Sequence, residues 1–286
     1  MSDTLIIAKI DMEFLKKRPL SYSSLKAFRK SPRHYVKYLE KEFDPGAFVK
    51  GSIVDALVFY TEEEINKRFH VYKYFKKRTN KAKAQWKEMV ELATANKQKL
   101  ITTEEYEEAM KIRDALYANP QACGLLERRK RVQQEIRWID SNTKLPVIVI
   151  IDFETTTEEG AEYIVDLKTT KDADPENFHS DIFKYHYNIQ GASCALGYQK
   201  KYFSFPNFGN LAIETESPYC ISFNHYTPAV MEAAKEEFYG LLLAFKRCMD
   251  NNQWNMGYEF WLMETRSSFT VNQPVYYKSR VKGYTE

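Results

Sequence analysis

The sequence predicts an α/β fold, a β-sheet flanked by helices, and three observations predict it. Residues 132–167 hold three apolar or β-branched runs parted by polar turns, the pattern of adjacent strands. Segments with helical capping signals lie on both sides of them. The chain has 286 residues, of which 44% are hydrophobic and 15% aromatic, enough to bury a sizeable core in one large domain or in a domain with an embedded subdomain.

Taken in order, 21–39 (SYSSLKAFRKSPRHYVKYL) reads as two short helical pieces broken at Pro32, with Ser21 or Ser23 capping the first and Leu25 and Phe28 on its apolar face. The run 51–60 (GSIVDALVFY) is apolar with one acid inside it, and periodicity leaves helix and strand both open. Residues 73–99 read as an exposed helix. Thr102 and Glu105 form a capping box that opens a helix with Ala109, Ile112 and Leu116 on one face, ending before Asn119-Pro120. Residues 132–140, 145–153 and 162–167 are strands, with a polar turn at 155–160, which suggests an antiparallel sheet of at least three strands. Residues 177–198 return to helix, 219–223 are a further strand, and 228–249 are a strong helix with Pro228 in its first turn. The tail from Trp254 shows no clean pattern. The expected divisions are an N-terminal extension (1–20), a main domain (21–250) with a basic helical insertion at about 65–120, and a C-terminal tail (251–286).

No stretch approaches the roughly 20 apolar residues of a membrane span, and the N-terminus lacks a secretory layout. The expectation is a cytoplasmic protein without membrane contact. Cys123, Cys194, Cys220 and Cys248 have no close spacing that would mark a zinc or iron–sulfur site. The net charge of +3 is small, but its distribution is uneven. Between Ile65 and Leu100 eleven Lys and Arg face only Glu88 and Glu91, a local balance of +9 interleaved with Phe69, Tyr72, Tyr74, Phe75 and Trp86. Lys73, Lys76, Lys77, Arg78 and Lys81 are candidate phosphate contacts, and 128–131 is a second basic run. The competing reading is a solvated helix face.

The chemistry-bearing constellation is Asp152 at the end of the most apolar strand and, fourteen residues later, Asp166-Leu167-Lys168. Residues i and i+2 of a strand share a face, so Asp166 and Lys168 point together while Leu167 points to the core. Pairing through the 155–160 turn lets Asp152 approach Asp166. Two close carboxylates repel unless a cation sits between them, and oxygen ligands suit Mg²⁺ or Mn²⁺. Such an ion can polarise a phosphate and acidify a bound water, with Lys168 orienting that water or neutralising developing charge. A surface hairpin with ordinary salt bridges is the alternative.

Five segments in order resemble the RecB-type and RecE-type (exonuclease VIII-like) branch of the PD-(D/E)XK nucleases. SYSSLKAFRKSPRHYVKYL is similar to its entry helix, GSIVDALVF to its Gly-x-x-x-His segment, IVIIDF and YIVDLKTT to its catalytic strands, and YNIQGASCALGY to the following Gln-x-x-x-Tyr-type helix. The resemblance spans roughly residues 20–200. It implies a central mixed sheet with a restriction-endonuclease-like core, and a Mg²⁺-dependent enzyme, with Mn²⁺ substituting, that hydrolyses DNA phosphodiesters to leave a 5′-phosphate. It implies that Asp152 and Asp166, with the Leu167 carbonyl, are metal ligands, that Lys168 is the catalytic lysine, and that Gln190 lines the site. Glu135 matches a glutamate that often completes the metal site, or is a solvent-facing strand residue. Tyr198 is a DNA contact or core packing. Asp55 stands where the family carries a metal-binding histidine, and an acid in an apolar run needs a partner, either a metal or a Lys or Arg. Ser31 stands where cluster-bearing relatives place a cysteine, so no iron–sulfur cluster is expected. His34, His70, His179, His186 and His225 lie on different elements, which points to DNA contact or surface placement rather than metal binding. The implied setting is phage-type recombination, with duplex DNA ends as substrate, a single-strand annealing protein as partner and a homo-oligomeric ring as a plausible assembly. An endonuclease or repair nuclease of the same superfamily, and a non-catalytic DNA-binding protein, are the rivals.

Overall fold

A computed structural model of the chain describes residues 10–41, 43–46 and 50–264. Residues 1–9 of the expected N-terminal extension and 265–286 of the expected tail lie outside them.

The architecture is a five-stranded mixed sheet with helices on both faces. Strands β3 (Arg131–Ile139), β4 (Pro146–Thr156) and β5 (Glu162–Thr170) form the expected antiparallel meander, with Gly160 at φ +84° in the β4–β5 turn. Strand β6 (Asn207–Glu214) lies parallel to β5, and β7 (Ile221–His225) returns antiparallel to it. Only one strand is expected from the sequence in 211–225. Strand β6 is buried on both faces, so it lacks the alternation that would mark it. A two-stranded parallel pair, β1 (Phe69–Tyr72) with β2 (Lys99–Thr102), stands apart.

Helix α1 (Met12–Lys17) leads into α2 (Tyr22–Lys30) and α3 (Pro32–Leu39), the pair expected on either side of Pro32. Ser21 closes a capping box on α2 with Ser24, and Ser31 ends α2 while capping α3. The ambiguous apolar run is helix α4 (Lys50–Phe59), followed by α5 (Glu62–Arg68). The basic segment is not one helix: residues 73–79 form a loop and only α6 (Asn80–Ala95) is helical. Helix α7 (Thr103–Ala118) begins at the Thr102 capping box and α8 (Pro120–Glu127) follows directly. The expected helix over 177–198 is two, α9 (Pro175–Lys184) and α10 (Tyr187–Tyr202), broken where His186 takes a left-handed φ of +64°. Helices α11 (Pro228–Asp250) and α12 (Glu259–Glu264) complete the chain. Among the described residues no helix is long and apolar enough to cross a membrane.

Helix α10 lies flush on one face of the sheet because two glycines let it. A Cβ on Gly191 would stand 2.7 Å from the Phe208 ring, and one on Gly197 would stand 2.9 Å from Trp138 and Val149. Helices α4, α7 and α8 cover the other face with a core that includes Ile53, Ile112, Leu125, Phe153, Val165 and Leu167. Helices α2, α3 and α11 gather a third cluster around Phe28, Tyr35, Phe245 and Trp254.

One irregularity matters for the site. Val149 and Ile151 of β4 pack beneath α10. Strict alternation would send Phe153 there too. Instead Phe153 stacks against Phe59 of α4 on the opposite face, and Glu154 returns to the α10 side, paired with Arg131, whose guanidinium lies over the Tyr202 ring of α10. The alternation slips by one residue between Ile151 and Phe153. Across the ladder Gln133, the third residue of β3, holds φ +47°, a left-handed conformation within a strand. The residue at the slip is Asp152.

Candidate active site

The paired register of β4 and β5 ends at Phe153–Val165. Beyond it, the Leu167 N–H donates to the Asp152 carboxylate at 2.9 Å, and the Gln133 side-chain amide donates to its other oxygen at 3.1 Å. Tyr60 donates in turn to the Gln133 carbonyl. Asp152 is therefore held facing Asp166 by the slip in β4 and by two donors.

Asp166 is buried, and three donors surround it. Gln190 Nε2 reaches Oδ1 at 2.6 Å, Asn210 Nδ2 reaches Oδ2 at 3.0 Å, and Lys168 Nζ lies 2.6 Å from Oδ2. Gln190 is placed by α10, seated closely on the sheet through the neighbouring Gly191. Asn210 is oriented by Tyr226, whose hydroxyl donates to its carbonyl at 2.5 Å, so the amide must turn its NH₂ towards Asp166. The Lys168 ammonium also stands 4.9 Å from the centre of the Tyr187 ring.

Asp55 joins this group from α4. By surface area Asp55 and Asp152 are only half-buried, yet protein packs densely around both carboxyls. Burial, and then the Asp166 charge, raise the Asp55 pKa to about 7, with Lys168 opposing. Burial, Asp166 and Asp55 together push Asp152 well above the ordinary carboxylate range, against the pull of Lys168 and the Leu167 N–H. Burial acts against the charge on Lys168, but Asp166 and Asp152 outweigh it and hold the ammonium above the usual lysine range. Three acids and one lysine thus form one coupled group with more negative charge than its lysine balances.

The donor chemistry suits a hard divalent cation: two carboxylates on a rigid strand pair and a third from α4, with the buried Gln190 Oε1 lacking a hydrogen-bond partner beside them. Among the described residues no three His, Cys, Asp or Glu side chains are already spaced to close on one ion. In this arrangement Lys168, Gln190, Asn210, Gln133 and the Leu167 amide occupy the carboxylate oxygens instead. The residues fit a cation by their chemistry.

Of the residues expected from the sequence, Asp55, Asp152, Asp166, Leu167, Lys168 and Gln190 come together. Leu167 contributes its amide to Asp152. Glu135 does not join them: it is exposed, and Arg137 holds it at 2.6 Å. Gln133, two residues earlier, is the β3 side chain that reaches Asp152. Tyr198 is corrected from a DNA contact to core packing, since it is 4% exposed with its ring centre 4.6 Å from that of Tyr202. Lys73, Lys76, Lys77 and Arg78 lie exposed on the loop before α6, Lys81 lies exposed in its first turn, and the Lys77 ammonium sits over Trp86. Sequence reasoning missed Gln133, Asn210 and Tyr226. Asn210 had a signal, a polar amide inside the apolar run FGNLAI; Gln133 and Tyr226 had none.

Comparison with known proteins gives a consistent result. The family model described as a PDDEXK-like domain of unknown function (DUF3799) matches residues 21–259. The crystal structure described as "Putative exonuclease" from Eubacterium rectale is similar over 84% of this chain and 85% of that chain, with a TM-score of 0.53 and 15% identity, a likeness of fold. None of the curated proteins matches.

Proposed function

The chain belongs to the PDDEXK-like family whose model it matches over residues 21–259, and on that premise we propose that it is a metal-dependent deoxyribonuclease acting on duplex DNA ends. The observation that carries this reading is the convergence of Asp55, Asp152, Asp166 and Lys168 at the slip in β4. A structural ion pair needs one acid per base. Three acids around one lysine, two with strongly raised pKa values, are an arrangement that costs stability and suits a site built for a further cation.

Asp55, Asp152 and Asp166, with the Leu167 carbonyl, would hold Mg²⁺ or Mn²⁺. When bound, the ion supplies Lewis acidity and a more acidic water. Lys168 stays protonated and places a positive charge beside the reacting phosphate, where charge builds on its oxygens. Gln190 fixes Asp166 through Nε2 and offers its free Oε1 to water or substrate. Tyr187 carries Lys168 on its ring face and limits the room in which the ammonium moves. Lys73, Lys76, Lys77, Arg78 and Lys81 supply backbone contacts to the duplex from the α6 arm.

The fold shared with the E. rectale protein supports the preference for an exonuclease. With it come the rest of the reading: duplex ends as substrate, a 5′-phosphate product, a cytoplasmic phage-type recombination setting, an annealing protein as partner and assembly into a homo-oligomer. The test is degradation of linear duplex DNA in Mg²⁺, in EDTA and by Lys168→Ala, beside a covalently closed circle. Loss of the linear DNA alone, abolished by EDTA and by the substitution, is the expected result. Cutting of the circle would reassign the enzyme as an endonuclease. No cutting by folded protein in Mg²⁺ or Mn²⁺ would overturn the enzymatic reading.

A further inference from the structure

Lys26 of α2 sits in an environment that the carboxylate cluster does not explain. Its ammonium lies 5.7, 5.5 and 6.0 Å from the ring centres of Tyr22, Tyr185 and Tyr187. Tyr22 fastens this wall by donating its hydroxyl to the Tyr185 carbonyl at 2.5 Å, tying α2 to the corner between α9 and α10. Tyr187 is shared: Lys168 approaches the same ring at 4.9 Å. The two ammonium groups therefore flank one aromatic side chain at the edge of the candidate active site.

Burial lowers the Lys26 pKa first, followed by Lys168 and Lys30. Among the described residues no carboxylate pairs with it. Arg29, on the next turn, is held by Glu237 at 2.7 Å and donates to His186 Nε2 at 3.0 Å. Burial, Arg29, Lys26 and Lys30 push the pKa of His186 down to about 3, so it accepts that bond as a neutral ring. A half-buried cation without an acid costs free energy in the free protein. An anion arriving at Lys26 would relieve that cost. The tyrosine wall holds the ammonium in place beforehand, so little side-chain freedom remains to be lost on binding.

We propose that Lys26 forms a phosphate subsite beside the candidate active site, gripping a backbone phosphate of the DNA strand next to the bond that is cut. This rests on the nuclease reading for the identity of the ligand. The subsite lies on α2, remote in sequence from the basic arm at 73–81, and would set how far the strand is threaded past the carboxylates.

The test is equilibrium binding of a short linear duplex in EDTA, where no cutting occurs, over a series of salt concentrations. Each phosphate neutralised contributes about 0.9 to the slope of log affinity against log salt. The slope for Lys26→Ala and Lys26→Gln is expected to fall by about 1 relative to the unsubstituted protein, with Lys26→Arg restoring it. Melting curves show whether each variant is folded. If Ala and Gln variants, folded, keep both slope and affinity, the subsite is overturned. If Arg fails to restore the slope while its fold is intact, the role of Lys26 is packing against the tyrosines, which also overturns it. Cutting of the same duplex in Mg²⁺ is measured separately. A reduced slope with no cutting would leave the subsite standing and remove the nuclease reading; cutting with an unchanged slope would do the reverse.

Discussion

Replacing Asp55 by Asn should stabilise the metal-free protein, and the structure sets the size of the effect. The Asp55 carboxyl moves from 3.8 to about 7 on folding. Between those values the folded chain binds more protons than the unfolded chain, so stability falls as pH rises through the window and the loss is complete above about pH 7. Each tenfold change in proton affinity corresponds to about 1.4 kcal/mol, which gives a ceiling of about 4 kcal/mol. Asp152 and Asp166 share the repulsion, and the Asn amide needs partners of its own, so about 2 kcal/mol is the expected gain at pH 8. For a domain of this size that is a rise of about 4–8 °C in Tm. The assay is thermal or urea unfolding in EDTA at pH 8 and again near pH 4.5, where the difference should shrink to about a quarter because folded Asp55 is then protonated while the unfolded carboxyl is still mostly ionised. Addition of Mn²⁺ should narrow the gap at pH 8, since the ion stabilises the three-acid form more. An Asp55→Asn protein no more stable than its parent at pH 8 would refute the argument that these acids are held together against their own repulsion.

Tyr226→Phe removes the hydroxyl that orients Asn210 and should weaken Mn²⁺ binding about tenfold, read by calorimetry without DNA; an unchanged affinity would show that Asn210 keeps its orientation unaided. Gly191→Ala would press a methyl group to 2.7 Å from the Phe208 ring, and unfolding curves should show a loss of about 1–3 kcal/mol. Lys76→Glu with Arg78→Glu should lower duplex affinity and the salt slope by about 2, while cutting of saturating DNA proceeds at its normal rate; a lower cutting rate at saturation would place these side chains in the chemistry instead.

Much of the site was legible because its residues obey local rules. Asp166 and Lys168 share a face by strand periodicity, and the hairpin brings Asp152 beside them. Asp55 was marked by its isolation in an apolar run. The two helices split at Pro32 and the Thr102 capping box were equally readable. What was not legible depends on contacts between elements distant in sequence. Gln133 matters only because its backbone turns left-handed opposite Asp152. Glu135, the nearby residue with the expected chemistry, is drawn to Arg137 on its own strand. Tyr198 carries a polar group at helical spacing from Gln190, but sheet packing consumes its ring. Strand β6, buried on both faces, offered no alternation to read, although the amide of Asn210 inside it was a visible oddity.

The slip in β4 gives the strand two reading frames. Upstream of Asp152 odd-numbered residues serve the α10 layer; downstream, at Phe153, they serve the layer of α4. Asp152 is the join between frames, and its side chain belongs to neither core. An acid there displaces no packed side chain, and exchanging it for another residue would leave both cores filled. The Asp, Asp and Lys alone would not transplant to a regular sheet, where the position opposite Asp166 would belong to one layer or the other. The seam has to be carried with them, including the left-handed Gln133 that lets the neighbouring strand follow it.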